Sequence, residues 1–266
     1  MSDHSVTKYK TPAGQIALRT AGDGAEGKLP PLVLLHGLGG SSKSWDRQLD
    51  QLSDTRRVIA WDCPGYGASD DFPGKRPTCH DFAKTLLAAL DAAGIESFDL
   101  VGHSMGGAVA PWIARLAPMR IHRVVLSATK VSFGADDPSG YDMRLAERRN
   151  MDDRMFGEAR AKGMVGEASP VFDEVAGIAG EIRVSGYEGA IALLKQADNR
   201  AILPTLEQPT LVVAGANDRI APEAATKAVA DTVPGAKLKV IQDAGHAAYM
   251  EQPGAYNALL RSFLDD

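Results

Sequence analysis

The fold class predicted by this 266-residue chain is α/β: a mostly parallel sheet covered by helices on both faces, with one inserted helical segment. Three observations predict it. Short runs rich in Val, Leu and Ile alternate with longer stretches of helical periodicity, the runs are apolar almost throughout, and one long interval between Val131 and Pro204 breaks the rhythm. A strand covered on both faces buries every side chain, so a near-continuous apolar run marks a parallel sheet between helical layers.

The expected strands are Leu32 to His36, Val58 to Trp61, Phe98 to Gly102, Val124 to Ser127, Thr210 to Gly215 and Leu238 to Gln242, with an antiparallel hairpin over Val6 to Ala21 in front. The expected helices are Ser42 to Ser53, Thr78 to Ala93, Met105 to Ala117, Pro222 to Val233 and Pro253 to Leu264. The last two open on prolines, which suit a first helical turn because the missing N–H has no partner there anyway. The interval 131–204 is rich in Arg, Met, Gly and acidic residues. It lacks a Val/Ile run and contains helix-like pieces over Tyr141 to Lys162 and Gly189 to Ala197. It is too long for an ordinary crossover between parallel strands. The expected organisation is therefore a core of residues 1–130 and 205–266 with a helical cap of residues 131–204; a pair of ordinary sheet-covering helices is the alternative.

Composition narrows the function classes. With 44% hydrophobic and 24% charged residues and a formal net charge of −5, the chain has no basic stripe, and nucleic acid is an unfavoured partner. No run approaches the roughly 18 apolar residues of a membrane span. Met1 to Lys10 is polar, without an apolar segment flanked by basic residues, so a cytoplasmic location is expected. Cys63 and Cys79 are too few for a disulfide framework and lack zinc-ligand spacing, which makes free thiols the expectation.

The residues that carry chemistry follow the expected strands. Phe98-Asp-Leu-Val-Gly-His-Ser-Met-Gly-Gly107 places Ser104 in a G-x-S-x-G pentapeptide between a strand and a helix. Glycines at 102 and 106 remove side chains from a cramped turn, which lets the serine adopt a strained conformation with its hydroxyl above the sheet edge. Free amides and the helix dipole at that turn favour an oxyanion nearby. Pro111 falls inside the following helix, where it removes one hydrogen bond. A serine hydroxyl needs a base. Of six histidines, His246 in Asp243-Ala-Gly-His-Ala-Ala-Tyr lies directly after the last expected strand, over the carboxyl edge of the sheet. Asp218 follows the strand Thr210 to Gly215 and completes the order Ser, Asp, His; Asp243, three residues before His246, is its rival.

Four blocks together resemble the α/β-hydrolase superfamily over essentially the whole chain: His36-Gly-Leu-Gly-Gly40, Asp62-Cys-Pro-Gly-Tyr-Gly-Ala-Ser69, Gly102-His-Ser-Met-Gly106, and Gly215-Ala-Asn-Asp218 with Gly245-His246. The resemblance implies an α/β-hydrolase fold and a serine hydrolase acting through Ser104, Asp218 and His246. It also implies backbone oxyanion donors at Leu38 and Met105 and no metal or organic cofactor. His36, Gly37, His103 and Trp112 are candidate substrate contacts, while Asp62 is expected to hold its own turn. Ser at 104 argues against haloalkane dehalogenases and epoxide hydrolases, whose similar fold places Asp there.

The segment Gly186 to Lys195, Asp198-Asn-Arg200 and Glu251-Gln-Pro253 resemble small bacterial enol-lactonases and carboxylesterases, implying a small-molecule ester or lactone substrate. Carbon–carbon bond hydrolases of aromatic-ring degradation are similar as well, although they commonly carry Asn where His103 stands and Trp where Ala247 stands. A ligand receptor with a retained triad and a cofactor-free perhydrolase are further alternatives. In the interval 131–204, Arg144, Arg148, Arg149, Arg154, Arg183 and Arg200 are each either a clamp for a substrate carboxylate or a solvated partner of nearby acids. Met143, Met151, Met155, Met164 and Phe156 are candidates for an adaptable apolar lining.

Overall fold

The computed structural model describes residues 4–22 and 29–265. Residues 1–3 of the polar N-terminal stretch and residue 266, both assigned above to the core, lie outside them. Eight strands form one sheet: β1 (Ser5–Thr11), β2 (Gly14–Ala21), β3 (Leu32–Leu35), β4 (Val58–Trp61), β5 (Phe98–His103), β6 (Ile121–Ser127), β7 (Thr210–Gly215) and β8 (Lys237–Ile241). Their spatial order is β1-β2-β4-β3-β5-β6-β7-β8. The β1–β2 and β2–β4 pairs are antiparallel and every other pair is parallel.

The apolar runs behave as doubly covered strands should. All four residues of β3, of β4 and all six of β5 are buried. Their alternation divides the core in two: Val33, Leu35, Ile59 and Leu100 pack on one face, and Leu32, Leu34, Val58 and Val101 on the other. The first face is covered by α2 (Cys79–Ala92), α3 (Met105–Leu116) and α8 (Glu223–Thr232), the second by α1 (Asp46–Leu52) and α10 (Pro253–Leu264). The outermost strand β8 is half exposed, with Lys237 and Lys239 on its solvent side, as suits a sheet edge. Arg56 is buried against Asp99 of β5 at 2.7 Å and against Asp265 at 2.6 Å, tying the floor of β5 to the C-terminal helix.

Local chemistry sets the helix ends. Thr78 caps α2 in a reciprocal box with Asp81, so it lies just outside the helix it was expected to begin. Pro253 opens α10 at its first turn. Pro222, by contrast, is the residue before α8, with extended ψ of 154°, and Glu223 begins that helix. Pro111 remains within α3 without ending it.

Four helices lie between β6 and β7: α4 (Ser139–Asn150), α5 (Asp153–Met164), α6 (Phe172–Gly180) and α7 (Val184–Gln196). The expected single piece over 141–162 is two helices. Met151 ends the first, and Asp152 caps the second by accepting from the Met155 amide at 2.8 Å. The sequence reading passed over α6, whose nine residues include four glycines and alanines in two adjacent pairs, a weak signal by periodicity alone. Small residues on both helices let it pack on α5: a Cβ on Gly157 of α5 would stand 2.1 Å from the Ala176 carbonyl, and one on Gly180 of α6 would stand 2.8 Å from that of Asp153. A short helix α9 (Ala248–Glu251) follows β8. Among the described residues, no helix is long and apolar enough to cross a membrane. Cys63 and Cys79 are buried and unbonded.

Candidate active site

The order β4-β3-β5 makes the chain switch direction across the sheet, which opens a crevice outside the carboxyl ends of β3 and β5. Ser104 stands there, at the junction of β5 and α3, with φ 52° and ψ −112°. Left-handed φ is costly for a residue with a Cβ. The turn is held by the Ser104 amide donating to the Ser127 carbonyl at 2.9 Å and by the Thr129 hydroxyl donating to the Ser104 carbonyl at 3.1 Å. The flanking glycines are required by close approach. A Cβ on Gly102 would lie 2.5 Å from the Gly106 carbonyl, and one on Gly106 would lie 2.4 Å from that of Leu35.

The loops after β7 and β8 bring Asp218 and His246 to the same point. The His246 Nε2 is 3.0 Å from Ser104 Oγ, and its Nδ1 is 2.8 Å from Asp218 Oδ2. All three residues are buried, with Ser104 the most exposed at 8%. Burial pushes the Asp218 carboxyl up, but the His246 contact and the Ala221 and Ile220 amides outweigh it and hold the group below its ordinary range. An ionised Asp218 can only accept, so His246 Nδ1 carries the proton and its Nε2 lone pair faces the serine hydroxyl. Asp243 is exposed, with φ 54°, and its carboxylate makes no contact with His246. The structure therefore puts Asp218, not its rival, against the imidazole.

His103 is adjacent to Ser104 in sequence but has a different environment. Its Nε2–H donates to the His246 carbonyl at 2.8 Å, and burial followed by the nearby His246 pushes its pKa down to about 3. It stays neutral and grips the main chain of His246 from one side. From the other, the His246 amide donates to the Met164 carbonyl at 2.9 Å. Gly37 packs so closely against this ring that a Cβ would be 2.8 Å from His103 Nδ1.

The loop after β3 is pinned without using the Leu38 amide. Cys63 N–H donates to His36 Nε2 at 3.1 Å, so His36 donates through Nδ1 to the Gly37 carbonyl at 2.8 Å. Tyr66 donates to the Leu38 carbonyl at 3.0 Å. Among the described residues, neither the Leu38 nor the Met105 amide has a hydrogen-bond acceptor. Asp62 holds the neighbouring turn by accepting from Ser42 and Ala68 amides at 2.8 and 3.0 Å.

A cavity lies over Ser104 and His246. Of the four candidate substrate contacts, Gly37 and His103 line it. His36 and Trp112 do not: His36 is fully buried under the loop, and Trp112 donates to Asn199 at 2.9 Å away from the cavity. Of the expected apolar lining, Met164 reaches the cavity, Phe156 is buried beneath Arg148, and Met143 and Met155 are exposed. Phe133, Tyr141, Leu194 and Ile220 complete the apolar wall.

Sequence reading missed Lys130, Arg160 and Glu251. Lys130 had an available signal, since it follows a parallel strand as the other site residues do. Glu251 accepts from the Gly245 amide at 2.8 Å and so braces the loop carrying His246. Burial, opposed by the Gly245 and Ala247 amides, pushes its carboxyl up to about 7 from the ordinary 4.5. The folded protein thus holds this proton more tightly than the unfolded chain, and the resulting contribution to stability is present below about 4.5 and lost as pH rises to about 7. Glu251→Gln keeps an acceptor for Gly245 and is expected to remove that slope. Urea midpoints of both proteins between pH 4.5 and 8 check this: the variant gains on wild type towards pH 8, and parallel profiles would refute it.

Ser104, His246 and Asp218 stand in one hydrogen-bonded line beneath a cleft. The model of the alpha/beta hydrolase family matches residues 32–259, and the chain belongs to that family and is a hydrolase. It is 33% identical over 265 residues to the dihydrolipoyllysine-residue acetyltransferase component of acetoin cleaving system of Cupriavidus necator, a match that takes in 91% of this chain and 64% of that protein. The chain thus spans less than two thirds of that relative's length. It is 30% identical to the 2-hydroxymuconate semialdehyde hydrolase of Pseudomonas putida, over 88% of this chain and 86% of that one. The structure of a thermophilic esterase from Thermogutta terrifontis superposes with a TM-score of 0.83 at 30% identity, covering 98% of each chain.

Proposed function

We propose that this hydrolase cleaves small-molecule carboxylic esters or lactones through an acyl-enzyme on Ser104. The observation that carries the reading is the continuous chain Ser104 Oγ to His246 Nε2 at 3.0 Å and His246 Nδ1 to Asp218 at 2.8 Å, beneath a cavity that Leu38 lines, with the Leu38 amide and that of Met105, next to Ser104 in the chain, both without an acceptor among the described residues. The similarity to an esterase supports it. Ser104 Oγ bonds to the acyl carbon as its proton passes to His246 Nε2, and the resulting oxyanion accepts from the two amides. The bond to the leaving oxygen then breaks, that oxygen taking the proton from Nε2. Water adds to the acyl carbon while giving a proton to Nε2, and collapse releases the acid and reprotonates Ser104. Each amide donor contributes about 10²- to 10³-fold and the base about 10²- to 10⁴-fold. The factors act as a unit and do not multiply. In this reading, residues 131–204 form a cap that closes the crevice and excludes water from it.

Carbon–carbon bond hydrolysis is the second reading, favoured by the similarity to the 2-hydroxymuconate semialdehyde hydrolase. A panel of short- and medium-chain nitrophenyl esters, lactones, enol-lactones and a ring-fission dienone separates the two. Esters or lactones are expected to turn over, the nitrophenyl esters with release of nitrophenol. Turnover of the dienone alone would replace the first reading with the second.

A further inference from the structure

Three cations meet in the cavity over Ser104, and among the described residues none of them has a carboxylate within hydrogen-bond reach. Lys130 follows β6, Arg144 belongs to α4 and Arg160 to α5, and all three line the cavity. The other arginines of the interval 131–204 are committed elsewhere: Arg148, Arg149, Arg154, Arg183 and Arg200 each have a carboxylate within 3.1 Å. Arg160 has Glu147 only at 3.9 Å, beyond hydrogen-bond reach. The Arg144 guanidinium lies over the Tyr141 ring, 5.4 Å from its centre, and among the described residues neither Arg144 nor Lys130 forms an ion pair. The negative group that Lys130 feels is Asp218, whose oxygens already serve His246 and two amides. Burial, and then the Arg144 charge, pushes the Lys130 ammonium below its ordinary pKa.

Placing three like charges beside an apolar wall raises the energy of the empty site through desolvation and mutual repulsion. An anion that enters the cavity relieves that repulsion and gains charge-assisted hydrogen bonds, with guanidinium forks that match the plane of a carboxylate. We propose that the substrate of this hydrolase carries a free carboxylate, which Lys130, Arg144 and Arg160 hold while its ester or lactone carbonyl lies at Ser104. This deepens the ester-hydrolase reading and rests on it. Phe133 and Leu194 line the same cavity and suit a short carbon chain between the two groups. The clamp is thereby a specificity device: it selects half-esters and acidic lactones over neutral ones, and its contribution weakens as salt screens the charges.

The test compares mono-4-nitrophenyl glutarate with its neutral methyl ester in wild type, Arg144→Met, Arg160→Met and Arg149→Gln, the last a cap arginine outside the cavity. Wild type is expected to favour the anionic ester by at least about tenfold in kcat/KM, and Arg144→Met and Arg160→Met each to cut that preference by roughly 10- to 100-fold, mainly through KM. Arg149→Gln keeps the wild-type ratio. Calorimetric titration of Ser104→Ala protein with glutarate supplies a readout independent of turnover, binding being lost when Arg144→Met is added. Ser104-dependent turnover of both esters with no anionic preference, or equal losses on both in the arginine variants, overturns the clamp and leaves the hydrolase reading standing. No turnover of either ester, with glutarate bound by the Ser104→Ala protein and released by Arg144→Met, overturns the hydrolase reading and supports the anion site. Glutarate failing to bind, with neither ester turned over, overturns both.

Discussion

Ser104→Ala is expected to lower kcat on the preferred ester by about 10⁴- to 10⁶-fold, with little change in KM. Removing Oγ removes the atom that would bond to the acyl carbon, and no neighbouring side chain can take its place: His103 is held neutral with its Nε2–H on the His246 carbonyl. The cavity wall and the Leu38 and Met105 amides are untouched, so binding survives. The fold survives as well, because the strained turn is held through the main chain of residue 104, whose amide donates to the Ser127 carbonyl and whose carbonyl accepts from the Thr129 hydroxyl, and alanine preserves both. Steady-state kinetics with circular dichroism on the same preparation check both halves. Unchanged turnover would remove Ser104 as nucleophile.

Asp218→Asn is expected to cost on the order of 10⁴-fold in kcat, against less than about threefold for Asp243→Asn. The carboxylate at 218 accepts from His246 Nδ1 at 2.8 Å and from the Ile220 and Ala221 amides at 2.7 and 2.9 Å. An amide there keeps the shape but offers N–H to the ring, favouring the tautomer protonated at Nε2, which has no lone pair for the serine. It also withdraws the negative charge that stabilises a protonated imidazole during the reaction. Asp243 faces solvent in a left-handed conformation that asparagine adopts readily. The two variants therefore differ in one respect that matters, contact with His246. Parallel kcat measurements rank them, and the reverse order would transfer the orienting role to Asp243.

Positions 104, 218 and 246 were legible in the sequence because each follows a strongly apolar strand, and parallel strands bring their carboxyl ends to one edge. The strands from β3 to β7 were legible for the same reason: their side chains are buried almost throughout, which forces near-continuous Val, Leu and Ile, whereas β1 of the front hairpin is largely exposed. The interval 131–204 was harder. Its helices bury small stripes, with Arg148 the one buried residue of α4, so the periodicity there is faint and α6 escaped notice. His36 and His103 illustrate a second limit. Both sit beside glycine motifs and look alike as neighbours of a site, yet one ring lies under the loop and the other grips the His246 carbonyl.

By itself, then, the sequence determined the α/β class, the family, and the residue types that stand after each central strand, because period and turn chemistry act over a few residues. Only the tertiary structure decided which of two aspartates meets His246, which arginines are paired off, and that Lys130, Arg144 and Arg160 share one cavity. Those outcomes depend on distances between residues far apart in the chain. Sheet order and helix packing set such distances, and no local pattern records them.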